Sequence, residues 1–256
     1  MRTNDMKWAV EIQRTGLEIR NLEDILKSLN FRLFLAGQNQ GFTSDEMDQC
    51  ANEDEVNNIA KQLREAMKVG EVDTEFSLGP VIDYRSDPVK RIVLLEATSS
   101  MQINTSAMLS SAPAQNLSEV ELHLWHKEKA EQDYQIALRW QLTKVVSAYR
   151  SETAKEVLNL FKTKNQTGLS LFKIYELMED KASKYDKKAG TAFRQRFDIS
   201  EEQFRRFSDA VHNPSATGYW ARHSVKHTLD SDNPMTQLEA QNFIRDLAER
   251  WLRTFL

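Results

Sequence analysis

The sequence predicts an α+β protein whose C-terminal half is entirely helical. Hydrophobic residues alternate along several short segments before residue 110, whereas after residue 117 they recur every three or four positions. A short segment of small residues with one proline, Ser110–Asn116, separates the two patterns. We therefore predict an α+β domain at residues 1–112, with a small mixed or antiparallel sheet, followed by a helical bundle at residues 117–256.

The first predicted elements alternate between strands and helices. Large apolar residues occupy every second position of Trp8–Ile12, which indicates a strand with one apolar face. The apolar stripe within Leu17–Leu29 indicates an amphipathic helix. A second apolar strand is predicted at Phe31–Leu35. The glycines and amides of Gly37–Gly41 then predict a loop.

A longer amphipathic helix is predicted next, with its apolar stripe running from Val56 to Met67. Candidate N-terminal caps precede it at Thr43–Asp45 and at Asn52, and Gly70 is placed to end it. The remaining strands of the predicted sheet are Phe76–Tyr84, Arg91–Leu95 and a weaker one at Ala97–Leu109.

Three capping-box sequences mark helix starts in the C-terminal half. In each, a serine or threonine is followed three residues later by a glutamate or glutamine, at Ser118–Glu121, Ser200–Gln203 and Thr236–Glu239. The apolar stripes around and between them predict about five helices.

Composition favours a soluble, globular and cytoplasmic chain. Of 256 residues 40% are hydrophobic, which suffices for a core, and the first 25 residues contain no apolar run that predicts a signal peptide or membrane anchor. The single cysteine, Cys50, excludes an intramolecular disulfide. Because Cys50 lies among acidic residues, which raise a thiol pKa, we do not expect it to be a nucleophile.

Charge is distributed unevenly along the chain. Residues 1–110 contain 12 Lys/Arg against 18 Asp/Glu, whereas residues 181–227 contain 10 Lys/Arg against 5 Asp/Glu. The basic segment suits an anionic ligand such as RNA, although a solvated helical surface has the same composition. Its candidate nucleic-acid-binding residues are Arg205, Arg206, Tyr219, Trp220 and Lys226.

One motif within the basic segment points to phosphodiester chemistry. Arg222 and His227 are separated by four residues, and the polar His223 follows the arginine directly. An arginine binds phosphate through a planar fork of N–H donors, and a histidine transfers protons near neutral pH.

This motif and the helical pattern of residues 150–256 resemble the HEPN superfamily of helical bundles, many of which are ribonucleases. The resemblance implies a metal-independent RNA endonuclease of the toxin or anti-phage type that acts as a homodimer. Arg222 would bind the scissile phosphate, and His227 would be the general base or acid. His223 and an acidic residue of an earlier helix, Glu176, would support them. Residues 1–110 resemble no family, and we expect a sensor or regulatory domain there, with a possible role for a second protein.

Three alternatives remain open from the sequence. The bundle fits a non-catalytic interaction module in which the Arg-His loop is structural, and it also fits a nucleotide-binding module that cleaves nothing. A metal site would use His223 and His227, four residues apart, with His212 as a third ligand. No glutamate of an HExxH motif and no cysteine cluster accompanies them, so we predict neither a metal nor a cofactor.

Overall fold

The chain is an α+β protein, as predicted. A computed structural model describes residues 6–36, 39–93, 119–179, 187–223 and 228–256. Within these residues all the strands precede residue 94, and every regular element after residue 118 is helical. The helices of the described residues include none that is both long enough and apolar enough to cross a membrane.

The N-terminal part is built on a five-stranded antiparallel sheet. The spatial order of the strands is β2-β3-β1-β4-β5, so β1 is central and pairs with both β3 and β4. The register places Val10 of β1 opposite Phe42 on one side and Val81 on the other. The strands are β1 (Trp8–Arg14), β2 (Phe31–Ala36), β3 (Asn39–Ser44), β4 (Ser77–Asp83) and β5 (Lys90–Ile92).

Strand β3 corrects the loop predicted at Gly37–Gly41. Residues 39–41 belong to β3, and Gly41 pairs with Glu11 of β1 and Phe34 of β2. A Cβ atom at Gly41 would lie 2.5 Å from the Phe34 ring and 2.6 Å from the Val10 carbonyl oxygen. This glycine therefore permits a close approach within the sheet and does not mark a turn.

Apolar side chains of the sheet and of the first helix form the core of the N-terminal part. Trp8, Phe42, Leu22 and Ile25 are fully buried, and the rings of Phe31 and Phe42 meet edge to face at 5.5 Å. The remaining strand predictions at residues 97–109, and the boundary predicted at residues 110–116, lie outside the described residues.

The described residues divide into two compact units. One is drawn from Met1–Lys61 and Ser77–Leu142, and the other from Gln62–Phe76 and Thr143–Leu256. The division falls inside two helices. The helices are α1 (Ile19–Ser28), α2 (Glu53–Val69), α3 (Glu119–Arg150), α4 (Glu152–Phe161), α5 (Gly168–Met178), α6 (Lys187–Arg196), α7 (Glu201–His212), α8 (Pro214–Thr217) and α9 (Gln237–Leu252).

Two of the three predicted capping boxes are confirmed. Ser200 and Gln203 exchange side-chain and backbone hydrogen bonds at the start of α7, and Thr236 and Glu239 do the same at the start of α9. The third box begins at Ser118, which lies outside the described residues. A further capping box opens α5, where Thr167 and Ser170 exchange hydrogen bonds. It was not predicted, because the third position holds a serine and not the glutamate or glutamine of the usual pattern.

Aromatic residues from α5, α6 and α7 form the core of the helical unit. The Tyr175 ring is 1% exposed and lies between 5.4 and 5.7 Å from three phenylalanine rings, those of Phe193, Phe204 and Phe207. This packing fixes α5 against α7, and the C-terminal end of α7 is where the chain reverses to reach the Arg-His motif.

Candidate functional site

The chain reverses direction immediately after α7. Asn213 ends that helix, and its side-chain oxygen accepts a 3.0 Å hydrogen bond from the Ser215 backbone N–H. Pro214 supplies the first residue of α8, where its missing N–H is not needed. Gly218 then takes a positive φ of 65°, which glycine adopts without a steric cost.

The returning chain runs back along the end of α7. The backbone N–H of Arg222 donates to the Val211 carbonyl at 2.7 Å, and that of His223 donates to the His212 carbonyl at 3.4 Å. The Trp220 indole N–H donates to the Gln166 carbonyl at 2.7 Å, just before α5 begins. The start of α5, the end of α7 and the Arg-His motif are thereby held together.

These contacts gather Phe172, His212, Arg222 and His223, which we call the arginine–histidine cluster. The guanidinium carbon of Arg222 lies 5.2 Å from the centre of the Phe172 ring. The His212 ring meets the same phenyl ring at 4.1 Å, and it stacks on the His223 ring at 5.1 Å. Phe172 is therefore in contact with both an arginine and a histidine.

His212 is neutral at pH 7. Its pKa is lowered to about 4, first by burial and then by the positive charge of Arg222 and the neighbouring His223. Its Nδ1 atom is buried and has no hydrogen-bond partner among the described residues, whereas the residue as a whole is partly exposed.

The low pKa of His212 predicts that acid destabilises the fold. Because the folded-state value of about 4 lies below the ordinary 6.5, the unfolded chain binds more protons at intermediate pH, and stability decreases as the pH falls from about 6.5 to 4. Solvent screens this partly exposed ring, so we expect it to account for about 1–2 kcal/mol of the decrease in the free energy of unfolding. Urea unfolding across this range should show a smaller loss for His212→Asn than for the wild type. Equal losses in the two proteins would contradict the prediction.

The chain that follows the motif is also held against α7. The buried Asp209 carboxylate accepts hydrogen bonds from the backbone N–H groups of Asp230 and Ser231, at 3.1 and 2.7 Å, and from the Ser231 hydroxyl at 2.7 Å. One turn earlier on α7, the Arg206 guanidinium donates to the Asn233 carbonyl at 2.6 Å. The side chain of Arg206, a predicted nucleic-acid contact, therefore has an internal partner.

The other sequence-predicted residues occupy different surroundings. Lys226 and His227 lie outside the described residues. Arg205 is exposed and pairs with Glu201 at 3.5 Å. Glu176 lies one helical turn after Phe172 on α5, and the described residues show no ion pair between it and Arg222. Of the predicted site residues, the adjacent Arg222 and His223 lie in the arginine–histidine cluster, where Arg222 contacts Phe172 and His223 stacks on His212.

The two adjacent aromatic residues differ in exposure. Trp220 is half-buried and bonded to Gln166 through its indole nitrogen, whereas the side chain of Tyr219 is fully exposed. This difference could not be predicted from the sequence, because both residues are aromatic and both immediately precede the Arg-His motif.

His212 and Phe172 are the members of the cluster that sequence reasoning did not assign to phosphate chemistry. His212 was considered as a possible metal ligand, eleven residues before His223, and not as a partner of Arg222. The Asn-Pro pair that follows it and Gly218 were the available signals, since together they favour a chain reversal that returns the motif to the end of α7. Nothing in the sequence around Phe172 indicates its position.

Two other sequence predictions concern reactive groups. The Cys50 thiol has a raised pKa, because of partial burial and the nearby carboxylates of Glu55, Glu46 and Asp48, and this confirms the direction predicted from its acidic surroundings. In the part of the chain that the structure describes, no three His, Cys, Asp or Glu side chains are grouped as a metal-ligand set.

Comparison of the chain with protein-family models, with curated proteins and with solved structures finds no match. The arrangement itself therefore carries the functional argument. An exposed guanidinium suits a phosphate group, and a neutral imidazole beside it suits the transfer of a proton.

Proposed function

We propose that this chain is a metal-independent RNA endonuclease whose site is centred on Arg222 and His212. One observation carries the proposal, namely that a guanidinium and a neutral imidazole contact the same Phe172 ring. The resemblance to HEPN ribonucleases, based on the motif from Arg222 to His227, supports the same chemistry from the sequence.

In the proposed reaction, Arg222 binds the scissile phosphate and stabilises the charge that develops on it in the transition state. Neutral His212 accepts the proton of the ribose 2′-hydroxyl. The 2′-oxygen then bonds to phosphorus, and the bond from phosphorus to the 5′-oxygen breaks. His227 would donate the proton that the leaving 5′-oxygen takes up. The products are a 2′,3′-cyclic phosphate and a 5′-hydroxyl.

Substrate binding would raise the pKa of His212, which makes it a better general base. The charge of Arg222 is one cause of its low pKa. A phosphate bound to Arg222 offsets that charge and therefore raises the pKa of His212. The imidazole would become a better proton acceptor only when the substrate is present.

The resemblance also implies a homodimer that contributes two such motifs to one cleft, and a regulatory role for the N-terminal part. Both are proposals. Sedimentation of the purified chain tests the dimer: a single species of twice the chain mass supports it, and a monomer contradicts it.

The purified full chain should cleave single-stranded RNA in the presence of EDTA at pH 7. We expect products with cyclic phosphate ends, and we expect a single 2′-deoxy substitution to prevent cleavage at its own position, because the attacking hydroxyl is then absent. A folded protein that leaves a broad panel of RNAs intact contradicts the proposal, and so does cleavage at deoxy positions. RNA binding without cleavage would favour the nucleotide-binding alternative, whereas neither binding nor cleavage would favour the interaction module.

A further inference from the structure

Tyr219 is an exposed aromatic residue on a firmly held loop. Its relative exposure is 110%, the highest among the large hydrophobic residues that the structure describes as exposed. Its side chain makes no hydrogen bond or ring contact with any described residue. The loop holds this ring away from the protein, although burial of an aromatic ring is normally favourable.

The residues on both sides of Tyr219 are bonded to α7, to α9 and to the segment just before α5. Thr217 donates through its hydroxyl to the Ala210 carbonyl at 2.6 Å and accepts, through its own carbonyl, a 3.3 Å hydrogen bond from the Gln237 side chain. On the other side, Trp220 bonds to Gln166 through its side chain, and the backbone N–H of Arg222 bonds to Val211. The position of the Tyr219 backbone is thus fixed before any ligand binds.

A fixed loop lowers the cost of binding at the Tyr219 ring. Only two side-chain torsions remain to be ordered when a flat ligand stacks on a tyrosine, so most of the stacking energy is retained as affinity. Stacking of a nucleobase on an aromatic side chain contributes about 1–3 kcal/mol and is tolerant of the base identity.

Tyr219 is also close to the proposed phosphate-binding arginine. Three residues span at most about 11 Å along the chain, and Tyr219 and Arg222 are both exposed. A nucleotide whose phosphate is bound by Arg222 therefore has a base within reach of the Tyr219 ring. A base inside a duplex has both faces covered by its neighbours, so only an unpaired base offers a face to this ring.

We propose that Tyr219 forms a stacking subsite for an unpaired base next to the phosphate bound by Arg222, and that the site thereby selects single-stranded over duplex RNA. The proposal rests on the proposed function for its phosphate site, and it adds a specificity-determining residue that takes no part in the chemistry.

The test measures binding of a 2′-O-methyl RNA oligonucleotide, which the proposed reaction cannot cleave, by fluorescence anisotropy. For Tyr219→Ala we expect affinity for the single strand to fall about 5- to 150-fold, the equivalent of losing one stacked base. Tyr219→Phe keeps the ring and should bind like the wild type. Leu238→Ala, which removes another exposed apolar side chain of this unit, is the matched control and should change nothing. The wild type should bind the same sequence more weakly when it is annealed to its complement.

The outcomes separate this proposal from the proposed function. If Tyr219→Ala binds like the wild type while Arg222→Ala loses affinity, the stacking subsite is wrong and the phosphate site stands. If the wild type binds neither form of RNA and cleaves none, both proposals fail. If Tyr219→Ala alters the oligomeric state and leaves RNA affinity unchanged, Tyr219 belongs to an interface between copies of the chain and the stacking proposal is overturned.

Discussion

Replacement of Arg222 by alanine is expected to lower the rate of RNA cleavage about 10²- to 10³-fold, the typical cost of removing one group that stabilises transition-state charge. Arg222 is exposed, and its guanidinium lies over the Phe172 ring, so its loss should leave the fold intact. The measurement is the single-turnover rate in EDTA, with urea unfolding of the same preparation to show that stability is kept.

Two further variants define what the arginine contributes. Arg222→Lys keeps the positive charge but loses the planar fork, so we expect an intermediate rate. Arg245→Ala removes an exposed arginine on α9 and should cleave at the wild-type rate. Equal rates for Arg222→Ala and Arg245→Ala would show that Arg222 has no special role.

Replacement of Gly168 by alanine is expected to destabilise the helical unit and to disrupt the site. The added Cβ would lie 2.4 Å from the Val211 carbonyl oxygen and 3.1 Å from that of Trp220. Both are backbone atoms that cannot rotate away, so α5 must separate from the end of α7 and from the loop. Overpacking of this kind costs about 1–3 kcal/mol. Because Gly168 is the first residue of α5, alanine there brings little of the gain of about 1 kcal/mol that it brings in a helix interior.

Gly190→Ala provides the matched control for this prediction. The Cβ atom there would meet the end of the flexible Glu179 side chain at 2.6 Å, and that carboxylate can move. We therefore expect Gly190→Ala in α6 to be neutral or slightly stabilising, whereas Gly168→Ala should lower both the free energy of unfolding and the cleavage rate. Similar behaviour of the two variants would contradict the steric argument.

The fold could be predicted largely from local patterns. Alternation identified β1, and the capping sequences at Ser200 and Thr236 identified the starts of α7 and α9, because each of these signals depends on residues close in the chain. Strand β3 was missed because glycine occurs both in turns and at positions of close packing within a sheet. Composition suggested a turn at Gly41, whereas the Phe34 ring and the Val10 carbonyl require a residue without a side chain at that position.

The candidate site could be predicted only in part. Arg222 and His223 were found through their spacing, but the proximity of His212 depends on a chain reversal, and that of Phe172 depends on the packing of α5 against α7. The spacing also could not distinguish Trp220, which is bonded inward, from Tyr219, which is fully exposed. Such differences arise from tertiary contacts, which short motifs do not encode.

A double-mutant cycle on the cleavage rate in EDTA tests the central claim most directly. The rates of the wild type, Arg222→Ala, His212→Asn and the double variant would be compared on one single-stranded RNA. If the two residues act in one site, each single change should be severe, and the double variant should be little slower than the slower of the two. A His212→Asn protein that cleaves at the wild-type rate, or a double variant whose loss equals the product of the separate losses, would contradict a site shared by Arg222 and His212.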